Sequence, residues 1–412
     1  MKLILSNIKK TGIYCGLLML FTLTTHSGNV VKANESTPEP TMAEDNGPGM
    51  RKVKDFVIYK NERFYCTFPS VVKSEGEYLV AFRRAPDKVL LGGWYDHTDP
   101  NSHCVMVRSK DGENWTEDPE LIVAHPFGGS QDPCLLKLSD GTLLCTSYGW
   151  SDMTQEAASQ LKQPLYFNNG FAGIGGYIMR SIDNGKTWQG PIYPPSLPGT
   201  VYYNPLGKLY PAYNRGALYE GENGRIYWVV ARMDGFPLEK TSTHLIVSDD
   251  KGLTWQYMSE VHPGGVPMCN EVSAYETPKG DILAFIRSDY PGNAMIGRST
   301  DGGKSFKCED MGFYGLPLTA VRLPDKRILL VYGYRRQPCG VRARILNAEG
   351  TDYKESKEFI IRDDNGQGTD VGYPWAVVMD NNRVLVVYYI TSPGGDPRRH
   401  IAGSIIEIEP QK

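Results

Sequence analysis

The sequence predicts an all-β fold, a six-bladed β-propeller, on three observations. One turn motif recurs four times. An apolar strand–turn–strand pattern recurs six times. The composition favours turns: the 412 residues include 44 Gly, 28 Pro and 25 Tyr, and stretches with helical periodicity are scarce. Self-similarity is read first because it decides the architecture.

The recurring turn is Ser181-Ile182-Asp183-Asn184-Gly185-Lys186-Thr187-Trp188. It returns as Ser248-Asp249-Asp250-Lys251-Gly252-Leu253-Thr254-Trp255 and as Ser299-Thr300-Asp301-Gly302-Gly303-Lys304-Ser305-Phe306. A copy one residue shorter is Ser109-Lys110-Asp111-Gly112-Glu113-Asn114-Trp115. Asp accepts hydrogen bonds from the amides of its own turn, and Gly takes φ > 0 without steric cost. The closing aromatic is expected to fold beneath the turn. The role expected of these turns is structural: they staple outer strands, away from any central cleft.

The hairpins surround Gly76, Gly141, Gly224, Gly280, Asp325 and Asn382. In the first four units the hairpin is followed by a strand that ends in the Asp turn. Uneven spacing with constant motifs implies loops inserted into a regular scaffold. Six units over residues 51–410, about 60 residues each, suit four-stranded sheets arranged radially. The blades are predicted to start near Phe64, Gly128, Asn214, Asn270, Gly315 and Gly372. The last two lack a full Asp turn, although Asn347-Ala348-Glu349-Gly350 resembles a worn one.

Lys2, Lys9 and Lys10 precede an apolar run from Ile13 to Leu23, and Val31-Lys32-Ala33 offers a cleavage site. Residues 1–33 therefore read as a secretory signal peptide, since the run is too short for a membrane span. Residues 34–50 read as a flexible, proline-containing linker, and 51–412 as the propeller. The expectation is an exported, soluble protein, periplasmic or extracellular, without membrane insertion. A net charge of −3 and a pI near 6.2 give no sign of a nucleic-acid surface. Beyond Cys15 in the leader, seven scattered cysteines remain, with no CxxC pair. They read as buried free thiols. Cys134 and Cys145 flank one hairpin and are the one local pair worth testing as a disulfide. No metal-ligand spacing or phosphate loop calls for a metal or cofactor.

Four Asp turns on six blades resemble the sialidase superfamily, and the resemblance covers essentially the whole mature chain. It implies a site at the propeller axis, a glycan substrate, and a glycoside hydrolase that removes a terminal, acidic, sialic-acid-like sugar. Three Arg would grip the sugar carboxylate, a Tyr paired with a Glu would be the nucleophile, and an Asp the acid/base. Cys269-Asn270-Glu271 and the later Phe285-Ile286-Arg287-Ser288 match the fourth-blade motif, making Glu271 the partner of the nucleophile and Arg287 a carboxylate ligand. Asp370-Val371-Gly372-Tyr373-Pro374 matches the nucleophile motif, with Tyr373 as nucleophile. A neutral phenol avoids the repulsion that a carboxylate nucleophile would meet beside a substrate carboxylate, and sialidases are the Tyr-nucleophile exception among glycosidases. Arg335 or Arg342 would supply a further carboxylate ligand, and Asp96 or Asp99 the acid/base.

The chain also departs from the pattern. Cys66-Thr67-Phe68-Pro69-Ser70 stands where the family has Arg-Ile-Pro, so Thr67 replaces the first Arg and one bidentate fork is missing. Arg83 or Arg84, one strand later, could compensate, Arg84 being the residue expected at the substrate. The Glu that supports the first Arg is also absent, with Tyr388-Tyr389 near its place. Three blade-opening residues, Gln131, Asp132 and Arg215, are expected to contact substrate; His125, close to the first two, reads as structural. Two alternatives stay open: a non-catalytic carbohydrate-binding propeller, and a hydrolase or lyase for another sugar with His97 or His103 as acid/base.

Overall fold

The computed structural model describes residues 49–410 except 89–96, 169, 234–240, 266–267, 290, 364–367, 381 and 392–397. All belong to one unit, Glu44–Lys412. The leader, nearly all of the linker, and Asp96 lie outside the described residues.

The strands form six antiparallel sheets around an axis. Blade one contains Phe64–Ser74, Glu77–Pro86, His103–Ser109 and Glu120–Val123. Blade two contains Gly129–Lys137, Leu143–Asp152, Phe171–Ser181 and Gln189–Ile192, with the short Phe167–Asn168 added beside the third strand. Blade three has a reduced inner edge, Tyr219–Glu220 plus a bridge from Tyr213 to Ala231, followed by Ile226–Met233, Thr241–Ser248 and Gln256–His262. Blade four contains Cys269–Glu276, Ile282–Ser288, Met295–Ser299 and Lys307–Asp310. Blade five contains Leu318–Arg322, Ile328–Tyr334, Gly340–Leu346 and Phe359–Arg362. Blade six takes Gly372–Val378, Arg383–Thr391 and Arg399–Ile408 from the C-terminal part of the chain. Its outermost strand is Met50–Tyr59, so the first described strand closes the ring on the last blade.

Successive strand residues point to opposite faces. In a propeller each face meets a neighbouring blade, so both must be apolar. Leu79 accordingly packs with Leu143 of blade two, while Val80 packs with Val387 of blade six. Equivalent clusters join Leu144 to Trp228, Val229 to Ala284, Phe285 to Leu330, and Val331 to Val386. The core is thus six interfaces between blades. The same alternation excludes the tested disulfide. Cys134 lies opposite Thr146, whereas Cys145 lies opposite Leu135, so the two thiols face different neighbours. All seven described cysteines are free, and six are buried.

Each Asp turn links the third and outermost strands of its blade. Asp250 shows the chemistry: its Oδ1 accepts from Ser248 Oγ (2.9 Å) and the Thr254 amide (2.8 Å), and its Oδ2 from Thr254 Oγ1 (2.5 Å). The worn copy in blade five works likewise, with Asn347 Oδ1 accepting from the amides of Glu349 and Thr351. First and third strands run in the same direction. The Asp turns therefore lie on the opposite face of the propeller from the starts of the inner strands.

Candidate active site

Four inner strands break their pairing near their start. Register shifts fall between Thr67 and Ser70, Gln131 and Cys134, Asn270 and Val272, and Gly372 and Trp375. Within each lies one non-glycine residue with positive φ: Phe68 (57°), Asp132 (42°), Glu271 (46°) and Tyr373 (52°). A β-bulge re-aims a side chain, and a bulky residue in the left-handed region is held there against its preference. Blade three offers Asn214-Arg215-Gly216 at the corresponding place. Gly216 is needed there, because a Cβ would stand 1.9 Å from the carbonyl oxygen of Val272 in blade four.

These bulges converge on Tyr373, which is buried. Its phenol donates to Glu271 Oε1 (2.7 Å) and accepts from Arg287 Nη1 (2.8 Å), and the same Nη1 donates to Glu271 Oε2 (2.5 Å). Asp289 holds the other side of Arg287, accepting from Nε at 3.0 Å. Arg335 lies over the Tyr373 ring, 5.1 Å from its centroid, and donates to the Tyr389 hydroxyl (3.1 Å) and the Val371 carbonyl (3.3 Å). Burial, and secondarily the charge of Glu271, push the Tyr373 pKa well up. Burial alone would also raise Glu271, but the charge and hydrogen bond of Arg287 and the hydrogen bond of Tyr373 bring it below the usual value. At rest the pair is a protonated phenol donating to an ionised carboxylate, which is the arrangement a base-activated nucleophile requires.

Asp132 is buried, with Oδ1 unpartnered among the described residues. Burial raises its pKa to about 6, against the lowering charge of Arg215. Gln131 is also buried, its amide donating to the His97 carbonyl. Arg215 lies beneath Tyr373 rather than on an open surface. It is 1% exposed, stacks 4.5 Å from the Tyr373 ring, and donates to the carbonyls of Pro69 (3.0 Å) and Tyr373 (3.3 Å), tying blade three to blades one and six.

Three expected site residues are not brought to this cluster. Arg342 is buried within blade five and donates to the carbonyls of Val341, Arg362 and Pro338, so of the two only Arg335 lies against Tyr373. Arg84 donates to His103 Nε2 (3.0 Å) and Tyr59 Oη (3.2 Å) and covers the Phe64 ring. Its neighbour Arg83, cross-strand partner of Thr67, is the one that turns inward; it is fully buried and donates to the His97 carbonyl (2.9 Å). Asp99 is a buried turn residue, with Oδ1 accepting the Asn101 amide (2.8 Å) and Lys88 3.7 Å away. His125 reads as structural here too, hydrogen-bonded to the Tyr193 hydroxyl (3.2 Å).

Two groups at this end of the axis had no assigned place in the sequence reading. Phe68 presents its ring to Tyr373 (4.9 Å), Tyr389 (5.2 Å) and His97 (5.2 Å). Asp370, three residues before Tyr373, accepts from His97 Nε2 (3.0 Å), Tyr389 Oη (2.6 Å) and Tyr65 Oη. For Phe68 the usable signal was a proline after the bulged residue, as in Phe68-Pro69, Asp132-Pro133 and Tyr373-Pro374; Asp370 has no such signal. Among the described residues no group of His, Cys, Asp and Glu is arranged to hold a metal ion, and no helix is long and apolar enough to cross a membrane.

Fold and site together define a propeller with a Tyr–Glu–Arg cluster at its axis. The BNR repeat-like domain family matches residues 164–386, and the chain belongs to that family. A crystal structure of a protein of unknown function from Dyadobacter fermentans is 56% identical, with a TM-score of 0.85, covering 88% of this chain and all of that one. A Hadza microbial sialidase superposes with a TM-score of 0.57 at 15% identity, over 83% of this chain and 65% of that one. A Trypanosoma rangeli sialidase, solved as a covalent intermediate with 2,3-difluorosialic acid, gives 0.58 at 12% identity, over 87% and 59%. The architecture is the six-bladed propeller fold that these sialidases share. No curated protein matches the sequence.

Proposed function

We propose that the protein is an exported glycoside hydrolase that removes a terminal acidic, sialic-acid-like sugar from glycans with retention. The observation that carries this reading is the Tyr373 hydroxyl held between an ionised Glu271 and the guanidinium of Arg287. In the first step the Tyr373 oxygen attacks the anomeric carbon while Glu271 takes the phenol proton. Arg287, already bonded to the phenol oxygen, stabilises the charge that develops there. Arg287 and Arg335 are the cations that would face the substrate carboxylate, which makes a two-Arg grip in place of three. Thr67 and Phe68 remove the third cation and put an aromatic wall in its place. The Trypanosoma rangeli relative of this fold, with its covalent intermediate, supports a covalent route.

The test is turnover of aryl glycosides by the purified mature chain. Release of the aryl group from an α-sialoside or another acidic glycoside, with retained stereochemistry in the first-formed sugar, is the expected result. Inertness toward every acidic glycoside, with turnover of a neutral one, would overturn the reading.

A further inference from the structure

Resting on that hydrolase reading, we infer that His97 is the acid/base of the reaction and that Asp370 is the residue that positions it. The superfamily resemblance implies an Asp for this task. The blade-one candidate among the described residues, Asp99, is tied into a turn. His97 is the most exposed of the titratable side chains around Tyr373, ahead of Asp289 and Asp370. It is half exposed, while Tyr373 and Asp132 are buried. The departing alcohol must leave toward solvent, so the group that protonates it belongs on the solvent side of the nucleophile.

The segment Asp370-Val371-Gly372-Tyr373 supplies both the nucleophile and the carboxylate that fixes His97. Asp370 Oδ1 stands 3.0 Å from His97 Nε2. Burial alone would raise the Asp370 pKa, but the hydrogen bonds from His97, Tyr389 and Tyr65 and the charge of His97 hold it far below the usual carboxylate range. An ionised carboxylate beside one ring nitrogen selects the tautomer in which that nitrogen carries hydrogen, and leaves the other to exchange a proton with substrate. Nδ1 is therefore the working atom. The ring is packed edge-on against Phe68, whose other contacts are Tyr373 and Tyr389. The His97 backbone is pinned as well, its carbonyl accepting from Arg83 and Gln131. His103, the other histidine near this loop, has its Nε2 engaged by Arg84 and its ring against Phe64, away from Tyr373.

The proton balance closes. In the first step the bond between the anomeric carbon and the aglycone oxygen breaks, and its electron pair goes to that oxygen, which takes the Nδ1 proton. Tyr373 forms the new bond and gives its proton to Glu271. In the second step water attacks the anomeric carbon and gives a proton to Nδ1, while the Tyr373 oxygen leaves and recovers its proton from Glu271. Glycoside and water become free sugar and alcohol, and all three side chains return to their starting states.

The test compares one acidic sugar carried on two leaving groups, an aryl group that leaves without protonation and a disaccharide hydroxyl that does not. In His97→Ala and the size-matched His97→Gln, kcat/KM is expected to fall at least about 100-fold on the disaccharide and less than about 10-fold on the aryl glycoside. Azide should speed turnover of the aryl glycoside and appear in the product as the glycosyl azide. Asp370→Asn should give the same pattern, weaker. Equal losses on both substrates, no loss on either, or the leaving-group pattern appearing in Asp132→Asn instead would overturn the assignment while the hydrolase reading stands. A wild-type protein inert to both substrates would overturn the reading itself.

Discussion

The two faces of the propeller use the same backbone conformation for opposite ends. On the Asp-turn face, positive φ falls mostly on glycines such as Gly112, Gly185, Gly252 and Gly303, which adopt it freely. On the axial face it falls on Phe68, Asp132, Glu271 and Tyr373, which do not. At the turns the carboxylates are spent on their own amides. At the axis Glu271 answers to Arg287 and Tyr373, and Asp132 keeps an oxygen without a partner. On one face the few non-glycine exceptions, such as Asn184, Lys251 and Lys326, sit apart in separate turns; on the other the four exceptions converge. Broken rules of that kind mark where a fold has been bent to a task.

The sharpest way to break the comparison is Tyr373→Phe. It removes one oxygen, keeps the buried ring against Phe68 and Arg215, and should lower turnover of an activated acidic glycoside by more than about 1000-fold, with the melting temperature nearly unchanged. Retained activity would make the axial strain structural. Asp132→Asn tests the same face from the stability side. The folded carboxyl has its pKa raised to about 6, so its contribution to stability is fully present below the unfolded value near 4 and is lost as pH rises through 6. At pH 7 the neutral amide should therefore make the protein more stable by on the order of 3 kcal/mol, and at pH 4 the two proteins should melt alike. Chemical denaturation at the two pH values measures this difference.

The scaffold was legible because it repeats. Blade starts read near Gly128, Asn270 and Gly372 fall within a residue of inner strands beginning at Gly129, Cys269 and Gly372. Tyr373, Glu271 and Arg287 were legible because their motifs are local strings, and the structure brings them together. What could not be read were choices set by register. Arg83 and Arg84 are adjacent, and only strand pairing decides which one turns inward beside Thr67. Arg335 and Arg342 differ in the same way. The His97–Asp370 contact joins residues 273 positions apart, and no local pattern announces it.

Smaller effects belong to the turn face. Asp250→Ala removes the acceptor for the Thr254 amide and for two hydroxyls at an exposed site. It should cost about 1–2 kcal/mol of stability and leave kcat/KM unchanged; a loss of activity comparable to that of Tyr373→Phe would dissolve the distinction between the faces. The smallest change is at Lys326, in the blade-five hairpin, where φ is 73°. Its side chain is exposed, and its amide donates to the Leu323 carbonyl (2.9 Å), a bond that glycine preserves. Relief of the left-handed conformation is worth roughly 1–2 kcal/mol, and the extra freedom of glycine in the unfolded chain offsets roughly 0.5–1 kcal/mol of it. Lys326→Gly should thus raise stability by about 0.5–1 kcal/mol with activity intact. At Phe68 the same exchange relieves the same backbone strain but deletes the ring on which His97, Tyr373 and Tyr389 pack, so stability and turnover should both fall. If Phe68→Gly instead behaved like Lys326→Gly, the positive φ at the axis would be an accident of the bulge rather than a means of aiming side chains at a substrate.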